Sequence, residues 1–156
     1  MSHVASVNIQ ITDLGALKKA CAELHLQFME GQKTHQWFGR WVNDYSAADA
    51  AYRNGIKPED YGKCEHAIRL PKGVYRDGDY EIGVVKSPTG SGFTLVYDFY
   101  STGRKIKETL GQRCERIVQL YGVYRATQAA MNKGYMVQRQ LLQDGAIKLR
   151  ITGAGL

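Results

Sequence analysis

Four groups of residues in this chain have types and spacings that could hold an anionic or aromatic ligand. The first is the junction Tyr100-Ser101-Thr102-Gly103-Arg104-Lys105, where a strand pattern gives way to a helical one. A helix N-terminus presents free backbone N–H groups and about half a positive charge, which suits a phosphate or carboxylate. First turns normally favour Asp or Glu. Here Arg104, Lys105 and Lys107 oppose the dipole unless an anion sits there. Ser101 and Thr102 are the expected cap and ligand. The plainer reading is an ordinary hydroxyl cap with solvated basic side chains.

The second group is Arg113. Ile106, Leu110, Arg113, Ile117, Leu120, Tyr121 and Tyr124 follow the spacing of a core-facing helical stripe. A charge inside such a stripe must snorkel, find a carboxylate such as Asp98, or floor a binding cleft. The third is the closing hairpin. A two-residue Asp144-Gly145 turn would pair Leu142 with Ile147 and set Arg139 opposite Arg150 and Leu141 opposite Lys148. Like charges directly opposed are unfavourable, so an anion is expected near them unless the two arginines splay into solvent. The fourth is Trp37 and Trp41 with His35, on one face of an aromatic-rich strand. Paired indoles can stack a nucleobase, or can simply be covered by a helix or a partner.

Other chemistries lack their signatures. Thr89-Gly90-Ser91-Gly92 joins two strands and is not followed by the Lys-Ser/Thr of a P-loop. Cys64 and His66 share a strand face, with no third metal ligand in view. The acidic residues form no spaced pair suited to general acid–base work, and no nucleophile motif appears. Nothing argues for catalysis, a metal or a cofactor.

These residues must be positioned by a modest set of elements. Val4 to Ile11 alternates as a strand, and Thr12 or Asp13 caps a helix from Leu14 to about Leu26. A second strand is expected over Lys33 to Val42, then a short helix from Ala47 to Asn54. Cys64 to Leu70 reads as a third strand. Tyr80 to Lys86 and Phe93 to Tyr100 form a hairpin. A long helix spans about Arg104 to Lys133, with Gly111 and Gly122 as places for a kink or break. Tyr135 to Gln143 and Ala146 to Ile151 close the chain as a hairpin. Strand-helix-strand-strand occurs twice. The reading is one α+β domain over residues 1–156, with a mainly antiparallel sheet and its helices on one face.

Composition bounds the rest. With 156 residues, 44% of them hydrophobic and 23% charged, the chain can bury a core without staples. No apolar run approaches the roughly 20 residues of a membrane helix. Met1 to Ile11 has no signal-peptide character, and Cys21, Cys64 and Cys114 form no close pair. A reducing, cytoplasmic setting without membrane attachment is expected. The net charge of +6 is uneven: residues 1–100 hold 11 Lys/Arg against 12 Asp/Glu, and residues 101–156 hold 10 against 3.

The order of short segments resembles a known family. Met1-Ser2-His3, Ile11-Thr12-Asp13-Leu14, Leu17-Lys18-Lys19-Ala20, Ala67-Ile68-Arg69, Tyr80-Glu81-Ile82-Gly83, Leu95-Val96-Tyr97-Asp98, Gln119-Leu120-Tyr121, Gly134-Tyr135-Met136-Val137 and Asp144-Gly145-Ala146-Ile147-Lys148-Leu149 are similar to it. This is the hypothetical chloroplast reading frame family of red-algal plastids, found also in cyanobacteria, other bacteria and phages, and classed as a domain of unknown function. The resemblance implies no catalytic residues. Some relatives occur with a ferredoxin-type iron–sulfur partner, but this chain lacks the cysteine spacing for a cluster.

Two functional expectations follow. The first is a non-catalytic binder of a small phosphorylated, nucleotide-type ligand. Ser101, Thr102, Arg104, Lys105, Arg113, Arg139, Lys148 and Arg150 would meet its phosphates, and His35, Trp37 and Trp41 its base. In a phage, such a protein could sequester a nucleotide signal of host immunity. The second is a nucleic-acid-binding module, or an adaptor docking an acidic protein, through the same basic third. Exposed strand edges make a homo-oligomer the expected assembly.

Overall fold

The computed structural model describes residues 4–7, 9–37, 55–99 and 102–153. Strand β1 (Val4–Ser6) leads to helix α1 (Leu14–Glu23), which Asp13 caps by accepting the Ala16 N–H at 3.0 Å. Ala16, Leu17, Ala20 and Cys21 form its buried stripe. A short strand that alternation does not betray, β2 (Gln27–Met29), follows. Three residues are too few for a periodic signal. Then come β3 (His66–Arg69), β4 (Ile82–Lys86) and β5 (Phe93–Asp98). Helices α2 (Gly103–Leu110) and α3 (Glu115–Asn132) precede the hairpin β6 (Tyr135–Leu141) and β7 (Ile147–Gly153).

The class is α+β. Five strands form an antiparallel sheet in the order β1-β5-β4-β3-β2, and β6-β7 pair only with each other. One face of the large sheet carries Phe28, Ile68, Ile82, Val84, Leu95 and Tyr97, and packs on α1, α2 and α3 through Leu17, Ile106, Leu110, Ile117 and Leu120. The hydroxyl of Tyr121 on α3 accepts the backbone N–H groups of Thr12 and Asp13 at 3.0 and 3.2 Å, which locks α3 across the start of α1. The opposite face carries Ala67, Gly83, Val85 and Val96, and the segments around Trp37 and Ile56–Tyr61 cover part of it. No helix among the described residues is long and apolar enough to cross a membrane.

Two expected elements change. Over Lys33 to Trp37 there is no strand, only an isolated bridge between Thr34 and Lys63. The backbone here divides its hydrogen bonds: Lys33 O and His35 N bond to Cys64 and Gly62, while Gln36 bonds to Glu81. No single ladder can grow from such split pairing. The remainder of that strand and the short helix from Ala47 lie outside the described residues. The long helix expected from Arg104 breaks in two. Gly111, at φ +86, ends α2, and α3 starts after a turn in which Cys114 takes a left-handed conformation at φ +58.

Candidate nucleic-acid interface

The junction before α2 finds its counter-charge inside the protein. Tyr100 and Ser101 lie outside the described residues. Thr102 Oγ1 accepts the Tyr80 N–H at 3.2 Å and donates to Gly78 O at 3.4 Å, so it staples the helix start to the 78–80 turn. Asp79, 3% exposed, comes from the same turn and takes Lys105 Nζ at 2.8 and 3.0 Å. Burial raises the Asp79 pKa, but the Lys105 bond and the Arg76 backbone N–H outweigh it and hold the carboxyl below its ordinary value. The anion that the basic first turn demands is thus a carboxylate supplied from more than 20 residues upstream. Arg104 is exposed.

Arg113 is not in the core stripe. The break at Gly111 resets the helical phase, so Cys114 is buried and Arg113 is exposed in the turn. Its backbone N–H donates to the Glu115 carboxylate at 2.7 Å.

The closing hairpin differs by one residue in register. Leu142 N–H donates to Ala146 O and Gly145 N–H to Leu142 O, with Gly145 at φ +86. This is a three-residue loop, Gln143-Asp144-Gly145, whose last residue takes the left-handed position that glycine occupies without strain. The expected two-residue turn is therefore replaced. Arg139 faces Leu149, Arg150 faces Gln138, and Lys148 faces Gln140. The opposed arginines disappear, and the one-residue slip moves Arg139 to the other face of the ribbon.

The two faces of this ribbon now separate by chemistry. On the inner face, Val137 and Arg139 lie against Val123, Tyr124 and Thr127 of α3, and Ile147 packs on the main core. Arg139 pairs with Glu23 at the end of α1 and stacks 5.7 Å from the Tyr124 ring, whose hydroxyl also donates to Glu23 at 2.7 Å. Gln119 Nε2 donates to Gly145 O at 3.0 Å and pins the loop to α3. The outer face consists of three cross-strand pairs: Met136 with Thr152, Gln138 with Arg150, and Gln140 with Lys148. All six are exposed and none is acidic. Of the ten Lys/Arg in residues 101–156, only Lys105 and Arg139 have an ion-pair partner within 4 Å among the described residues.

The aromatic group is elsewhere. Trp37 packs edge-on to Tyr61 at 5.3 Å, close over Gly62, on the sheet face away from the helices. Trp41 lies outside the described residues. His35 is 5% exposed and rests on Gly83, where a Cβ would fall 2.5 Å from the imidazole. Neither ring nitrogen has a well-formed hydrogen bond among the described residues. Burial pushes its pKa down to about 4, against opposite pulls from the Glu81 and Gln36 backbones. Beside it, Glu81 accepts from Gln32 Nε2 at 3.1 Å and from the Gln36 N–H at 2.9 Å, with Arg69 Nη1 at 3.9 Å. Trp37 and His35 therefore stand on one side of the sheet, and α3 with its ribbon on the other. The set named from sequence does not converge on one small pocket.

The cysteines offer no reactive thiol. Burial pushes Cys21 and Cys64 up to about 12 and raises Cys114 as well. His66 Nδ1 accepts the Gly31 N–H, and Cys64 Sγ contacts Gln32 O.

The residues that sequence reasoning missed are Gln138 and Gln140, and the carboxylates Glu23 and Asp79. The assumed two-residue turn gives Arg150 and Lys148 other partners, which hides their pairing with Gln138 and Gln140. No local signal connects Glu23 to Arg139 or Asp79 to Lys105. No protein-family model, curated protein or solved structure matches the chain.

Proposed function

We propose that the protein is a non-catalytic nucleic-acid-binding module that meets phosphates through α3 and the β6–β7 ribbon. One observation carries this reading: Lys148 and Arg150 stand exposed on an acid-free ribbon face, without ion-pair partners among the described residues. An enclosed phosphate site needs donors converging on a cavity. Cations along an open face suit a polymer that offers a phosphate every few ångströms. Arg116, Arg125 and Lys133, also exposed, add to the positive field of the same lobe.

The test is fluorescence anisotropy with labelled duplex and single-stranded oligonucleotides at 50 and 200 mM salt. Expected is binding that weakens steeply with salt, at about 0.9 units of log–log slope per phosphate contacted on duplex. In Lys148→Glu/Arg150→Glu binding weakens and the slope drops by about one such contact or more. Binding that ignores salt, or no binding to any oligonucleotide, would refute the reading. A parallel thermal-shift panel of cyclic nucleotides and ADP-ribose derivatives serves the small-ligand alternative. Stabilisation there, without oligonucleotide binding, would put that alternative first.

A further inference from the structure

Resting on the nucleic-acid reading, we propose that the outer face of β6–β7 enters the major groove of B-form DNA and reads base edges through Gln138, Gln140 and Arg150. The shape argument comes first. A two-stranded ribbon is the widest β unit that the major groove, about 12 Å across, admits. The minor groove, about 6 Å across, takes such a ribbon only where the duplex is bent and the groove widened. Outward rows on a strand recur every second residue, about 6.8 Å apart. Stacked base pairs rise about 3.4 Å, so successive rows fall two base pairs apart. The rows Gln138–Arg150 and Gln140–Lys148 have this spacing by register.

The chemistry points the same way. Each of the two rows sets one amide beside one cation across the strands. A glutamine amide offers a donor and an acceptor together, matching the N6 and N7 edge of adenine. Arginine matches O6 and N7 of guanine, and lysine can reach either a base edge or a phosphate. Solvation alone is served as well by glutamate or aspartate, and neither occurs on this face. The Met136–Thr152 row adds a methyl-bearing surface suited to thymine.

The ribbon is also presented rigidly. Its inner face is fixed by Arg139 to Glu23 and Tyr124, and its loop by Gln119 to Gly145 O. Binding therefore does not have to order a loose arm first. The same fit disfavours A-form RNA, whose major groove is deep and narrow and closed to such a ribbon.

Selection from a randomised duplex DNA library with the full chain tests the proposal. Expected is enrichment of a short motif containing adenine and guanine at positions two base pairs apart, and weaker binding to duplex RNA of the same sequence. Gln138→Ala/Gln140→Ala should cut preference for the motif by about five- to a hundredfold per lost amide contact. Its affinity for unselected DNA should change little. Circular dichroism and a melting curve establish that the variant folds. Equal binding of DNA and RNA, no enriched motif, or an unchanged motif in the double variant would each overturn the proposal. Those outcomes leave general nucleic-acid binding standing. Absence of all oligonucleotide binding removes that reading as well.

Discussion

In the five-stranded sheet and its loops, the buried carboxylates have partners. Asp79 and Glu81 are at most 5% exposed, and each is held by hydrogen bonds to backbone and side-chain donors. In the lobe of α3 and the ribbon, charge is exposed and mostly unmatched, with Arg116, Arg125, Lys133, Lys148 and Arg150 all in solvent. The contrast separates two roles. A charge removed from water must be compensated or the fold loses several kcal/mol. A solvated cation puts no such demand on the fold, so its identity answers to whatever the surface meets.

The strongest test of this contrast is a pair of substitutions. Leu95→Ala, at a fully buried position in the middle of the sheet, should cost about 2–5 kcal/mol in urea unfolding. Lys148→Ala/Arg150→Ala should stay within about 0.5 kcal/mol of the parent. A large loss in the second variant would show that the ribbon cations serve the fold.

Next is the pH dependence centred on His35. Its folded pKa, about 4, lies below its ordinary 6.5. Between these values the unfolded chain binds more protons than the folded one. The contribution is therefore full above about pH 6.5 and is lost as pH falls through about 4. It amounts to about 3 kcal/mol at 1.36 kcal/mol per pKa unit. Urea midpoints across this range should fall more steeply for the parent than for His35→Gln, and superimposable curves would contradict the assignment.

A smaller effect is expected at Asp79→Ala, which strips Lys105 and the Arg76 N–H of their acceptor, at about 1.5 kcal/mol. Smaller again is the effect of Arg139→Ala. Its pair with Glu23 is about one-third exposed on each side, so the loss should stay at or below about 1 kcal/mol. Oligonucleotide affinity should fall less than in the Lys148 and Arg150 variants, since Arg139 lies on the inner face and acts only by holding the ribbon in place. A drop as large as that of the Lys148 and Arg150 variants would erase the distinction between the two ribbon faces.

Much of the architecture is legible in the residues because it is local. The α1 stripe and its Asp13 cap, the β4–β5 hairpin and the closing hairpin each need only a few neighbours in sequence. The break at Gly111 is marked by the glycine itself. The candidate site is less legible. Lys148 and Arg150 stand out as uncompensated cations, but their partners across the ribbon do not. One loop residue more or less inverts every side chain of a strand. Asp144-Gly145 is compatible with both a two-residue and a three-residue loop, so the dipeptide announces a turn without fixing its register.

By itself, then, the sequence determined the α+β class, most of the element order and the concentration of positive charge after residue 100. These follow from periodicity, capping residues and simple counts. The tertiary structure alone decided which cations are neutralised. Asp79 and Glu23 reach Lys105 and Arg139 across separations of 26 and 116 residues. Coulomb attraction and hydrogen bonding depend on distance in space, and chain separation carries almost no information about that distance until the sheet and helices have packed.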